Sequence, residues 1–230
     1  MLVKNWMSKE VWTVGVNDSM QQAISICREH KIRMLPVLKD GKLVGVLSDS
    51  DLKRASASDA TTLDIHELLY LLSKIKVKDI MTKNPVTVPP DHTVEETAEI
   101  LMNRRISGAP VVDEKGRVVG IITRDDLFKV LIALSGLGKK GIQWAFQVED
   151  RPGSIKELTD LIRSYDGRIG SILSSYERVP PGFRIVYIRG YHIDRAKLPQ
   201  LQNDLKKKAT MLYIVDHREN KREVFQESGA

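Results

Sequence analysis

Two stretches of this chain are variants of one another, and no other feature of the sequence restricts the fold as much. Val3-Lys4-Asn5-Trp6-Met7-Ser8-Lys9 aligns with Val77-Lys78-Asp79-Ile80-Met81-Thr82-Lys83 at an offset of 74. The same offset matches Thr13-Val14 to Thr87-Val88, Ile32 to Ile106 and Pro36-Val37 to Pro110-Val111. One added residue in a turn raises the offset to 75, which matches Gly41 to Gly116, Val44-Gly45 to Val119-Gly120 and Asp51-Leu52 to Asp126-Leu127. Identities fall at turn, core and candidate ligand positions while surface residues drift, as expected of a duplicated fold unit.

Each copy carries the same pattern of elements. A short β-rich segment (residues 11–16 and 86–88) leads to a polar start, Asp18-Ser19 or Asp91-His92-Thr93. Apolar residues at helical spacing follow: Met20, Ala23, Ile24 and Cys27 in one copy, Val94, Ala98, Leu101 and Met102 in the other. Two short strands come next, 35–38 and 44–47 or 109–112 and 118–122, each pair joined by a glycine turn. A closing helix starts near Asp51 or Asp126, so the unit reads β-α-β-β-α. Between the copies, residues 55–62 have loop composition and 63–75 read as a helix. The glycine-rich stretch 135–141 marks a second boundary.

The copies end alike, in Ser48-Asp49-Ser50-Asp51 and Thr123-Arg124-Asp125-Asp126. A hydroxyl followed three residues later by a carboxylate is the signature of a helix capping box. The same geometry suits a nucleotide: free N–H groups and the helix dipole favour phosphate, and a carboxylate accepts both hydroxyls of a ribose. Taken singly, either copy is accounted for by capping.

Taken together over residues 1–134, the Met-led starts, the Thr-Val and Pro-Val strands and the hydroxyl-x-x-Asp ends resemble the cystathionine-β-synthase (CBS) domain pair, or Bateman module. That resemblance implies two clefts that bind adenosine derivatives such as AMP, ADP, ATP or S-adenosylmethionine. By position it implies that Asp51 and Asp126 hold ribose hydroxyls, with Ser48 and Thr123 beside them and Thr13 and Thr87 at the cleft edges. Arg33 matches a phosphate-meeting position, though a solvated arginine near a helix end explains it equally. The second cleft, with Thr87, Val88, Ser107, Gly108, Ala109 and Pro110, has the small residues that leave room for a flat base. In the first, Trp12 and Met34-Leu35 either fill that space or stack on the base.

Residues 141–217 change rhythm and read as β-α-β-β-α-β, with strands at 143–148, 169–176, 184–189 and 211–215, a helix with Ile155, Leu158, Leu161 and Ile162 on one face, and another at 195–208. The Asp150-Arg151-Pro152-Gly153 turn resembles that of ACT domains, which implies a ferredoxin-like module, pairing side by side, and an amino-acid site at Asp150, Gly153 and Ser154. A helix-starting turn with Pro152 at N1 explains the same residues. The order CBS–CBS–ACT resembles the bacterial acetoin-utilisation B-type (AcuB) proteins. The expected α+β organisation is repeat 1 at 1–56, linker and helix at 57–76, repeat 2 at 77–135, the third module at 141–217 and a frayed polar tail at 218–230.

Composition removes several function classes. The net charge of +6 is thinly spread: nine basic against six acidic residues in 1–54, twelve against twelve in 55–140, fifteen against twelve in 141–230. A nucleic-acid surface concentrates its basic residues and interleaves aromatics, so that partner is not expected. No run reaches a membrane span, and the first residues lack a signal-peptide pattern. The lone Cys27 suits a reducing cytoplasm and a buried thiol. His30, His66, His92, His192 and His217 lack metal-ligand spacing, and no nucleophile or phosphate-loop motif occurs. The expectation is a cytoplasmic, homodimeric regulator without metal or catalysis, acting on a partner that the sequence does not name. A scaffold whose ligand sites have decayed is the alternative.

Overall fold

The computed structural model describes residues 1–57, 70 and 72–225. The expected loop at 55–62 and helix at 63–75 lie largely outside these residues. The chain divides into compact units Met1–Phe128 and Lys129–Ala230, a boundary earlier than the expected glycine-rich stretch. The helix that closes the second repeat, Arg124–Leu134, runs across that boundary and ends before the glycines.

In the first unit, helix α1 (Met20–Glu29) begins at a capping box in which Ser19 accepts from Gln22 N–H and the Gln22 side chain accepts from Ser19 N–H. Strands β2 (Met34–Lys39) and β3 (Lys42–Ser48) form a hairpin whose turn residues Asp40 and Gly41 both have positive φ, 51° and 76°. That geometry matches the right-handed twist of the flanking strands. β1 shrinks to Val14–Gly15, parallel to β2, and helix α2 (Asp49–Ala57) follows β3 without a loop. The second copy repeats the plan with a Thr93–Glu96 box, helix α4 (Val94–Asn103), strands β5 (Gly108–Val112) and β6 (Val118–Thr123) and helix α5 (Arg124–Leu134). Its expected first strand at 86–88 is a single bridge from Val88 to Val111.

The two copies exchange their first segments. Helix α3 (Val77–Ile80) and strand β4 (Thr82–Lys83) open the second copy in sequence, yet Val77 is buried among Val14, Met20, Leu35 and Leu47 of the first. β4 also extends the first copy's sheet, in the order β1-β2-β3-β4. In the reverse direction, Val3 is fully buried among Val88, Leu101, Val111 and Ile122, and Ser8 bridges to Ile121. Each repeat of the sequence is therefore not a packing unit. The hydrophobic contacts of 1–8 hold the second copy, and those of 76–83 hold the first.

The second unit has strands β7 (Ile142–Glu149), β8 (Arg168–Ser175), β9 (Phe183–Tyr191) and β10 (Thr210–Asp216), with helices α6 (Ser154–Ser164) and α7 (Leu198–Lys208). The element order is the expected β-α-β-β-α-β. Strand β11 (Lys221–Val224), expected within a frayed tail, adds an edge to an antiparallel sheet of order β11-β10-β7-β9-β8. Main-chain pairing to β10 orders this polar segment, which composition alone does not reveal. Trp144, Phe146, Ile188 and Ile214 pack one sheet face against Leu158, Ile162, Leu201 and Leu205 of the helices. α6 starts one residue after Gly153, whose φ of 90° caps it, so Pro152 precedes the cap instead of occupying N1.

Candidate functional site

Among the described residues, four helices begin with a hydroxyl that accepts the N–H of the residue three positions on. The boxes fall into two kinds. Thr93 pairs with Glu96, an exposed carboxylate held below its ordinary range chiefly by the Thr93 N–H and then by its hydroxyl. Ser19 pairs with a neutral amide. By contrast Asp51 and Asp126 are only 5% exposed, although a carboxylate is seldom buried without a specific reason. Asp126 Oδ2 accepts from Thr123 N–H at 3.0 Å and Thr123 Oγ1 at 2.7 Å. Asp51 Oδ2 accepts from Ser48 N–H at 2.9 Å and Ser48 Oγ at 2.5 Å. Each strand thus runs straight into its helix and leaves a fixed, buried carboxylate at the junction.

The second copy gathers its expected residues around this junction. Thr123 stands opposite Gly108 across the β5–β6 ladder, and the Ser107 carbonyl accepts Arg124 N–H at 3.0 Å. A Cβ on Gly108 would lie 2.8 Å from the Ile122 carbonyl oxygen and 3.1 Å from Thr123 Cγ2, so this position demands glycine. Val88 N–H bonds the Pro110 carbonyl at 3.1 Å, which brings Thr87 and Val88 alongside Ala109 and Pro110. Thr87 and Ser107 are exposed, while Gly108, Ala109 and Pro110 are buried.

The first copy differs at several of the corresponding places. Met34, opposite Ser48, is buried in a small cluster with Val46, Ile121 and Val11. Trp12 stacks on His30, ring centroids 3.5 Å apart and planes 11° apart, and remains 37% exposed. His30 was not singled out by sequence, because its contact with Trp12 joins residues from separate elements. Asp51 Oδ1 also accepts from Arg54 and, at 3.4 Å, from Thr82 Oγ1. Thr13 is exposed, as is Arg33, whose carbonyl accepts Asp49 N–H.

In the second unit, Asp150, Gly153 and Ser154 lie together at the β7–α6 turn. Arg184 of β9 joins them: its Nε is 3.4 Å from Asp150 Oδ1 and its guanidinium donates to Ser154 Oγ at 3.3 Å. Sequence reading missed Arg184, since only the β7–β9 register, Val148 opposite Arg184, brings it near. Among the described residues no group of three His, Cys, Asp or Glu is placed to hold a metal ion. Among them also, no helix is long and apolar enough to cross a membrane.

Comparison with known proteins follows this division. A family model described as the CBS domain matches residues 3–58 and 77–133. A CBS domain-containing protein of Dictyostelium discoideum is 36% identical over 133 residues, 57% of this chain and 92% of its own length. The crystal structure of the CBS-pair protein CBSX2 from Arabidopsis thaliana is similar with a TM-score of 0.50 and 30% identity, covering 57% of this chain and 94% of that one. The CBS domain pair of protein MJ0100, crystallised in complex with 5′-methylthioadenosine and S-adenosyl-L-methionine, is 34% identical, covering 57% of this chain and 95% of that one, with a TM-score of 0.49. The mixed β/α region beyond these matches is of unassigned family. Matched copy by copy, the chain belongs to the CBS-domain family as a tandem CBS-pair protein.

Proposed function

We propose that this protein is a regulatory sensor, not an enzyme, that binds an adenosyl ligand (AMP, ADP, ATP or S-adenosylmethionine) in its CBS pair. One observation carries the reading: the two carboxylates that end the copies, Asp51 and Asp126, are both buried at strand-to-helix junctions, whereas Glu96 of the Thr93 box is exposed. A carboxylate already aligned by its own hydroxyl and N–H partners has a fixed position from which to accept ribose hydroxyls, at little ordering cost. The primary site is the second cleft, formed by Thr123, Asp126, Thr87, Val88, Ser107, Gly108, Ala109 and Pro110. The first cleft, with Thr13, Arg33, Met34, Ser48 and Asp51, is weaker, because Met34 takes the place of Gly108.

The C-terminal unit acts in this account as an ACT-type module, in the arrangement of AcuB-type proteins. Its element order and the Asp150–Arg184–Ser154 cluster support an amino-acid site there. A ligand in either unit regulates a partner protein or the chain's own pairing as a homodimer, which requires different affinities for two conformations. Thermal denaturation of the protein with each adenosyl compound, with and without amino acids, tests the reading. A bound ligand at about 100 times its Kd stabilises by about 2.7 kcal/mol. If none of these compounds shifts the transition, the scaffold reading replaces the sensor.

A further inference from the structure

The sheet of the second unit has one face turned away from α6 and α7, and a buried arginine lies on it. Arg189 of β9 is 3% exposed. Its Nε donates to the Ser135 carbonyl at 2.6 Å and a terminal nitrogen donates to Gln143 Oε1 at 2.5 Å, both neutral acceptors. Its Nη1 is buried without a partner. Taking a guanidinium out of water without a counter-charge costs several kcal/mol, so proteins ordinarily supply an acid. Among the described residues Arg189 has none.

Its neighbours deepen the deficit. His217 also has a buried, unpartnered ring nitrogen, Nε2, and is close enough to feel the charges of Arg189 and Arg222. Arg222 of β11 shares the row of Arg189, through the register Arg189–Gln143–Val215–Arg222, and its own bond goes to the Asn220 amide. The nearest acid in sequence, Asp216, is engaged elsewhere by Arg195 and by the N–H groups of Arg218 and Glu219.

Over this face runs the loop 136–141, Gly-Leu-Gly-Lys-Lys-Gly. Lys139 Nζ lies 5.8 Å from the centre of the Tyr191 ring, and Gly136 sits against the Arg189 side chain. Gly136 and Lys140 both have left-handed backbone, φ 65° and 47°. Arg189, Arg222 and His217 come together beside Gly136 and Lys139, and among the described residues no carboxylate pairs with any of these four basic side chains.

We infer that the sheet face turned away from α6 and α7, with the segment 136–141 beside it, forms a site for a small phosphate-type oxyanion, held by Arg189, His217 and Arg222 and flanked by Lys139. The site is separate from the CBS clefts and does not depend on the nucleotide reading. It supplies the missing counter-charge and joins β9, β10 and β11 to the loop that leads in from α5.

The test uses the full chain, with sodium phosphate titrated against sodium chloride at constant ionic strength. The probes are the thermal transition and the His217 imidazole NMR signal, assigned with His217→Gln. Phosphate is expected to raise the transition and to shift the His217 pKa upward, with saturation. Arg189→Gln is expected to weaken phosphate at least tenfold, and the exposed-site variants Lys139→Gln and Arg222→Gln about threefold, which covers the case of a poorly folded Arg189 variant. Equal responses to phosphate and chloride, or an unchanged phosphate response in all three variants, would overturn the site. A stronger response to acetate than to phosphate would overturn the ligand class. Loss of the response in Asp126→Asn would move it to the CBS cleft.

Discussion

Met7 lies directly on Gly120, close enough that a Cβ on the glycine would meet Met7 Cγ at 2.8 Å and the Ser8 carbonyl oxygen at 3.0 Å. Met81 stands in the same relation to Gly45, where a Cβ would meet Met81 Sδ at 2.7 Å and the Thr82 carbonyl oxygen at 2.9 Å. The two contacts are crossed, each methionine covering a glycine of the other copy. A glycine leading β-hairpin residues here is thus a packing requirement imposed by the exchanged segment, not a turn.

This crossing gives the first prediction. Gly120→Ala overpacks the contact and should cost about 1–3 kcal/mol in denaturant unfolding. Met7→Ala also destabilises, but the double variant should lose less than the sum of the two, because the smaller side chain makes room for the new methyl. Strict additivity would mean that Met7 and Gly120 do not touch.

The capping boxes predict a hydroxyl effect that needs no ligand. Thr123→Ala removes the acceptor for Asp126 N–H and the donor to its carboxylate, and should lower stability by about 1 kcal/mol. Chemical denaturation without nucleotide measures it. A neutral result would show that the junction is not held by this box.

Glu96 sets a pH dependence of definite sign. Its folded pKa lies below the unfolded value, so its ionised form adds stability that is complete above the unfolded value. That contribution is lost as pH falls through the lowered, folded value. Glu96→Gln keeps a capping side chain without the charge, so its deficit should be visible near neutral pH and vanish in acid. Thermal transitions of both proteins across the acid range supply the comparison, and a pH-independent deficit would refute the assignment.

β11 predicts a local effect. It pairs Tyr213 with Val224 and Asp216 with Lys221 yet buries none of its own side chains. Ending the chain after Asn220 should leave the core of Trp144, Phe146 and Leu201 folded and speed amide exchange in Tyr213 and Val215. Global unfolding on this truncation would show that β11 belongs to the cooperative core.

Much of this was legible in the sequence. Periodicity located α1 and α4 through Met20, Ala23, Val94 and Leu101, and the Asp40-Gly41 pair located the first hairpin. The hydroxyl-x-x-Asp ends were found as the residues that the junctions hold. What escaped depends on contacts between distant segments. The exchange of Val3 and Val77 leaves no trace in periodicity, because both are apolar residues in short polar stretches. Trp12 was read as filling the cleft or stacking on a base, and its stacking on His30 required knowing that the strand start meets the end of α1. Arg184 and Arg189 carry no sequence signal beyond their place in a strand. Register alone sets one beside Asp150 and buries the other.

The central claim is that Asp126, and less so Asp51, holds an adenosyl ligand. The most direct test is calorimetric titration of AMP, ADP, ATP and S-adenosylmethionine into the wild-type chain, Asp126→Asn and Asp51→Asn, substitutions that keep a capping oxygen and remove the charge. The account predicts saturable binding of at least one compound, weakened about tenfold or more by Asp126→Asn and less by Asp51→Asn. Binding with unaltered affinity in Asp126→Asn, or no binding by the wild-type chain, would contradict it.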